Sequence, residues 1–339
     1  MTSRFNQAYS EKKARKAKRE KASRYIFDFT KYTFRQYKNE NWHHRLMAKH
    51  YQDAICKRIN RLMIFCPPRN MKTELLERAG AWAIGRNPDT KIIGCGYSIS
   101  RASKSGKKVR QIISESKFSD VYPDFKGDNF FDNSASDTQA YWEVGNGHRG
   151  SYLSAGVDSG VTGEGFNLAF LDDCVKSRAE AESPTYQENT KEWYFGTLLN
   201  RQDEVDSTII IINTRWNTKD LCGSILEREG IKTYNGHKPS VGCPDWNGQP
   251  DGKWTVLCLA AEMDEEALLW KHDDDPRELG DVLWPDRFPS SFLEQFKGVK
   301  HDWYSLYQGR PKVQGGNLID GRWLTTISPN KVPSGGKMV

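Results

Sequence analysis

The stretch RLMIFCPPRNMKTE, Arg61 to Glu74, decides how this chain is read. Leu62 to Cys66 is a short apolar run suited to a fully buried strand, and Pro67-Pro68 then ends hydrogen-bond pairing. From Glu74 the chain takes helical spacing, with Leu75, Leu76, Ala79 and Trp82 on one face. Strand, tight loop, Lys72-Thr73 and helix form the layout of a phosphate-binding loop. Pro68, Arg69, Asn70, Met71, Lys72, Thr73 and Glu74 would surround the phosphates, held by backbone N–H groups and the helix N-terminus. Lys72 would neutralise the β and γ groups, and the Thr73 hydroxyl would ligate Mg²⁺. The usual pattern has glycine before the lysine. Here that residue is Met71, and no glycine lies between Cys66 and Thr73. Taken alone, the stretch also fits a buried strand turning into an ordinary surface helix.

A chain of 339 residues can form one large domain or two ordinary ones with a substantial core. No apolar run is long enough to span a bilayer and the N-terminus is too polar for a signal peptide, so a soluble, cytoplasmic protein is expected. The seven cysteines are dispersed and form no CxxC pair, which reads as reduced thiols, not disulfides or a zinc site. The net charge of +6 is uneven: residues 1–24 carry +7, leaving −1 for the rest. This basic arm is either a solubility tail or a segment, disordered or helical, that contacts a polyanion such as nucleic acid.

Residues 25–60 read as a helical segment, with Tyr25, Ile26, Phe29, Trp42, Leu46, Tyr51, Ile55 and Ile59 at helix-like spacing. His43, His44 and His50 read as surface or packing residues over metal ligands. Tyr51-Gln52 could stack on and hydrogen-bond an adenine edge, or be a packing tyrosine beside an exposed glutamine. A helix from Thr73 to Ile84, a strand from Lys91 to Tyr97 and a helix from Ser98 to Ser116 follow. The last carries Arg101, Lys104, Lys107, Lys108 and Arg110, a face that is solvated or meets DNA. Phe130-Phe131, Gln139–Val144 and Gly150–Ala155 suggest short antiparallel strands. Then come strand Asn167–Asp173, helix Ala179–Asn200, strand Ser207–Asn213, helix Lys219–Glu229, an irregular loop over 230–253, and strand Trp254–Ala260. Strands that are nearly all apolar, alternating with helices, predict an α/β fold with a mainly parallel sheet covered on both faces.

Ligands of such sheets bind at the carboxyl ends of strands. Three of these ends are polar: Arg69 to Thr73, Asp172-Asp173, and Asn213-Thr214-Arg215. Two acids after an apolar strand are what an ATPase needs beside its phosphate loop, one for the Mg²⁺ shell and one to orient or deprotonate water. Such a pair can also be a plain helix cap. Gly160, Gly163 and Gly165 precede a strand and read as a flexible turn.

The segments PPRNMKTEL, GVDSGVTGEGFNLAFLDDCVKSRAEAES, EWYFGTLLNR, INTRW and LWPDRFPSSFLEQF, in this order and spacing, resemble the ATPase portion of tailed-bacteriophage large terminase subunits. The similarity runs from about Trp42 to Trp323. It implies a P-loop NTPase of the ASCE/RecA-like type, hydrolysing ATP with Mg²⁺, with a small helical lid. By position, Lys72 and Thr73 resemble the Walker A pair and Arg69 the loop arginine that senses or stabilises the γ-phosphate. Asp172 resembles the Walker B magnesium ligand and Asp173 the catalytic carboxylate, where many relatives have Glu. Asn213, Thr214 and Arg215 resemble the coupling motif, and Tyr51 with Gln52 the adenine-recognition motif. Related sequences often read TGRG where this one reads TGEG at 162–165, so Glu164 replaces a candidate trans arginine finger. Arg149 and Arg178 are the substitutes considered for it.

The resemblance divides the chain into a basic arm (1–24), a helical segment (25–60), a P-loop ATPase core (61–275), a lid (276–327) and the start of a linker (328–339) towards an absent nuclease domain. It implies double-stranded DNA, portal protein, small terminase subunit and further copies of the chain in a ring, taken as a pentamer, as partners in the host cytoplasm. No DNA cutting is expected. The alternatives are a helicase-like nucleic-acid-dependent ATPase and a degenerate P-loop scaffold that does not hydrolyse nucleotide.

Overall fold

The computed structural model describes residues 2–125, 131, 140–157, 159, 161, 163–249 and 251–312. The expected lid beyond 312, the linker, and Phe130, Gln139, Gly160 and Thr162 lie outside the described residues. Among these, eight strands build one sheet: β1 (Arg61–Phe65), β2 (Lys91–Gly96), β3 (Tyr141–Glu143), β4 (Ser151–Gly156), β5 (Leu168–Asp172), β6 (Thr208–Asn213), β7 (Ile231–Tyr234) and β8 (Trp254–Cys258). Their order is β3-β4-β2-β5-β6-β1-β8-β7. All pairings are parallel except that of β3 with β4. This is the α/β architecture with a mainly parallel sheet that the strand–helix alternation predicts.

The apolar strands are explained by burial on both faces. Leu62, Ile64, Ile210, Ile212 and Phe170 face one layer. Met63, Phe65, Ile209, Ile211 and Leu171 face the other. With neither face wetted, every position selects an apolar side chain, each contributing about 1.5–3 kcal/mol on burial.

The first layer is made by α2 (Ile26–Thr33), α3 (Trp42–Ile55), α4 (Lys72–Arg86) and α5 (Ile99–Ser114), preceded by the long helix α1 (Thr2–Arg24) and followed by the short α6 (Ser116–Val121). The basic arm is therefore helical in this structure. His43 and His44 are wholly buried in the same layer.

Residues 179–200, read as one helix, are divided into α7 (Arg178–Glu182), α8 (Pro184–Glu192), a π-helical turn (Trp193–Leu198) and a 3₁₀ turn (Leu199–Arg201). Pro184 starts α8, and the Ser183 hydroxyl accepts from Tyr186 N at 3.3 Å, so the chain re-initiates a helix there. The irregular 230–253 loop contains the edge strand β7, short enough to be hidden by the glycines and prolines around it. The expected antiparallel set holds for β3 on β4, but β4 also lies parallel to β2, and Phe131 bridges Val144. On the second face lies α9 (Leu221–Glu229). α10 (Glu265–Leu269) and α11 (Ser290–Lys297) follow β8, and Leu293 and Trp303 form a small core with Ala261 and Val282. Among the described residues no helix is long and apolar enough to cross a membrane.

Candidate functional site

The sheet order places β6 between β1 and β5. The loop after β1, the acids at the end of β5 and the polar end of β6 therefore meet at one edge, as the carboxyl-end rule requires.

The loop solves its missing glycine locally. Arg69 and Met71 both take left-handed backbone, with φ of 62° and 67°. Such a conformation costs an ordinary residue about 1–2 kcal/mol. Burial of the Met71 side chain, 7% exposed within the first core layer, offsets it. Asn70 Nδ2 donates to Pro68 O at 3.0 Å and braces the turn. Lys72 then opens α4, with the Tyr51 hydroxyl donating to its carbonyl at 3.3 Å.

Lys72 is buried, and its ammonium donates to the Thr214 hydroxyl and lies 3.3 Å from Asp173 Oδ1. Asp173 Oδ1 also accepts from Thr214 N at 3.3 Å. Asp173 itself has φ 51°, a strained backbone of the kind found where geometry is over-determined by its surroundings. The Thr73 hydroxyl donates to Asp172 at 3.0 Å, and Arg101 Nη2 lies 2.6 Å from the same carboxylate. Burial and the neighbouring Asp173 push the Asp172 carboxyl up to about 6, while Arg101, Lys72 and Thr73 pull the other way.

Asn213 is buried, with Nδ2 directed at Cys222 Sγ at 3.5 Å and Oδ1 without a partner among the described residues.

Thus Lys72, Thr73, Asp172, Asp173 and Thr214 come together. Other singled-out residues do not join them. Arg215 is fully buried and turns to Asp220 and Asp245, at 2.8 and 2.7 Å, above the Phe65 ring. Tyr51 is wholly buried, and Gln52 Oε1 accepts from Ile26 N at 3.1 Å, so in this structure they present no stacking face to a base. Glu74 is exposed on the first turn of α4, and Arg69 is exposed on the loop. Arg178 pairs with Asp302 and Glu182; Arg149 is exposed.

Arg101 is the residue that sequence reasoning misplaced, reading it with the solvated or DNA-facing basic side of α5. Its signal is positional: the first turn of a helix that follows a parallel strand points to the carboxyl edge of the sheet. Glu77, one turn after Thr73, was not singled out. Burial pushes its carboxyl up to about 8, against a hydrogen bond from Ser105.

The donor set suits a hard cation bound to phosphate oxygens. Among the described residues no cluster of three or more His, Cys, Asp or Glu side chains exists to cage a metal alone.

No family model matches the chain, and no curated protein does. Among solved structures it is similar to the HK97 bacteriophage large terminase, with 13% identity and a TM-score of 0.49, covering 78% of this chain and 50% of that one. It is also similar to the large terminase ATPase domain of Thermus phage P74-26, with 12% identity and a TM-score of 0.44, covering 75% of this chain and 89% of that domain. The chain spans half the length of the HK97 protein.

Proposed function

We propose that this chain is the ATP-hydrolysing motor module of a viral large terminase, using ATP and Mg²⁺ to move double-stranded DNA into procapsids. The observation that carries the ATPase reading is the meeting of Lys72, Thr73, Asp172, Asp173 and Thr214 from three strand ends. The order of motifs resembling large terminases supplies the packaging role, with the portal, the small subunit and a ring of copies as partners in the host cytoplasm.

In this reading the loop and α4 N-terminus hold the phosphates, and Lys72 leaves Asp173 for the γ-phosphate. Thr73 and Asp172 hold Mg²⁺, which neutralises phosphate charge when bound. Asp173 accepts a proton from water as the water oxygen bonds to the γ-phosphorus and the bond to the bridging β–γ oxygen breaks, releasing ADP. Thr214, touching both Lys72 and Asp173, reports the phosphate state to β6. The basic α1 contacts DNA phosphates, so binding weakens steeply with salt.

Steady-state ATP hydrolysis by the wild type and Lys72→Ala tests the reading. Loss of turnover in the variant is expected, and equal rates would sink it. For the arm, removal of residues 1–24 should weaken DNA binding at low salt; unchanged binding would leave α1 without that role.

A further inference from the structure

The first turn of α3 carries two adjacent histidines into the core layer beside the phosphate loop. His43 is wholly buried, and neither of its ring nitrogens has a hydrogen-bond partner among the described residues. Its ring meets that of Trp284 at 5.5 Å between centroids, close to edge-on at 68°, and that of His44 at 4.1 Å. Asn70 of the phosphate loop is a further neighbour. Burial, then His44 and Arg277, hold the His43 pKa well below its ordinary value, while the Asn70 backbone pulls the other way. The ring is therefore neutral, with one donor and one acceptor nitrogen.

The side chains around it hold the matching halves. Asn70 is 4% exposed, and among the described residues its Oδ1 accepts nothing. Trp284 is buried, and its Nε1 donates to nothing. His44 Nδ1 accepts from Asn41 N at 3.3 Å, so the His44 proton sits on Nε2, which is also unpaired. Buried polar groups in folded proteins are nearly all paired, so a group of them left open in one place asks for a cause. These are complementary: Trp284 and His44 offer donors to the His43 acceptor nitrogen, and Asn70 offers an acceptor to its donor. The helix side of the cluster is fixed, because Asn41 caps α3 and its Nδ2 donates to Leu283 O at 2.8 Å. The loop side is strained. Asn70 stands between Arg69 and Met71, both in left-handed backbone, and its Nδ2 is tied only to carbonyls of the loop itself, Pro68 O at 3.0 Å and Pro67 O at 3.5 Å.

We infer that His43 is a positioning residue for the phosphate loop, donating its ring N–H to Asn70 Oδ1 when the loop closes on a triphosphate, an assignment that rests on the ATPase reading. The γ-phosphate draws Lys72 off Asp173 and Thr214, and Asn70, two residues earlier, moves with it. The bond to His43 then relieves two buried unpaired groups at once, while an N–H of Trp284 or His44 satisfies the second ring nitrogen. That relief is gained only on phosphate binding, so it adds to affinity for the triphosphate and not to the stability of the free protein. Because the contact is to the loop and not to a base, it acts on any ligand that carries the phosphates.

The test titrates the full chain calorimetrically with MgATP and with magnesium tripolyphosphate. His43→Phe keeps a buried ring but neither nitrogen. It should leave the thermal midpoint of the nucleotide-free protein unchanged or higher, since an unpaired buried polar group is removed, and should weaken both ligands about tenfold. His43→Gln supplies an amide donor and acceptor and should recover most of that affinity. Wild-type affinity in His43→Phe overturns the inference while leaving the ATPase reading intact. An affinity loss that comes with a lowered midpoint, or that is as large in His43→Gln, overturns it too, by showing only a packing role. A second measurement uses wild type carrying isotopically labelled histidine. The ring-nitrogen resonances absent from the His43→Gln spectrum should shift when magnesium tripolyphosphate is added, and unmoved resonances overturn the inference even if His43→Phe fails to fold. If the wild type binds neither ligand, the ATPase reading falls and this role of His43 with it.

Discussion

Lys72 Nζ lies 3.3 Å from Asp173 Oδ1, so the lysine of the phosphate loop is neutralised by the carboxylate that would take water's proton. The pair is a lock that substrate must open. A γ-phosphate competes for Lys72, and Asp173 is then released towards water. Asp173→Asn removes the negative charge and leaves Lys72 free for phosphate. Nucleotide affinity should be retained or rise, while turnover falls about 10²–10⁴-fold, the usual contribution of a general base. Titration and steady-state rates on the same preparation check this; normal turnover would remove Asp173 from its role.

At position 71 the ordinary ranking of alanine over glycine should reverse. Met71 has φ 67°, where alanine is strained and glycine is not. Both truncations lose a side chain that is 7% exposed in the core. Met71→Gly should nevertheless be more stable than Met71→Ala by about 1 kcal/mol. Thermal unfolding of the two variants measures it, and alanine ahead of glycine would contradict the loop geometry.

Arg101 supplies positive charge to a buried carboxylate that also faces Asp173. Removing one partner of a buried pair costs about 3–5 kcal/mol, less whatever protonation recovers. Arg101→Gln should therefore lower the unfolding midpoint, and millimolar Mg²⁺ should restore more stability to the variant than to the wild type. An equal Mg²⁺ effect in both would detach Arg101 from the cation site.

The sheet was legible because its strands are buried on both faces, which writes continuous apolar runs such as Ile209–Ile212 into the chain. Lys72, Thr73 and the two aspartates were legible because they stand at strand ends, where position alone implies shared space. Side-chain direction was not. Arg215 follows Thr214 directly but turns into an ion-pair network made with Asp220, the cap of α9, and Asp245, whose place beside it depends on the long loop after β7. Arg101 was hidden among neighbouring bases on α5, and the cluster of His43, Asn70 and Trp284 unites residues more than two hundred positions apart, leaving no local pattern to read.

Acid should destabilise the fold through His44. Its unfolded pKa is about 6.5. Burial among Tyr37, His43 and Trp284, and Arg287 nearby, lower it to about 4 in the fold. The neutral ring's contribution is full above pH 6.5 and is lost as pH falls through 4, on the order of 3 kcal/mol. His44→Gln keeps an acceptor for the Tyr37 hydroxyl without titrating. Its unfolding midpoint should fall less between pH 7 and pH 4.5 than that of the wild type. Parallel pH curves would show that the titrating load lies elsewhere.

Thr214 and Arg215 are adjacent yet should fail in different ways. Arg215 is wholly buried, and losing it strands Asp220 and Asp245, a change that costs about 3–5 kcal/mol. Arg215→Ala should lose its cooperative unfolding transition or shift it strongly downwards, with activity lost alongside. The Thr214 hydroxyl only accepts from Lys72, while its backbone N–H supports Asp173 and survives substitution. Thr214→Val should keep its melting temperature within a few degrees but lower the rate of hydrolysis. If DNA stimulates the wild-type ATPase, that stimulation should shrink further than the basal rate. A Thr214→Val protein with wild-type rates, basal and DNA-stimulated, would leave the β6 terminus as a structural support and move coupling to another element.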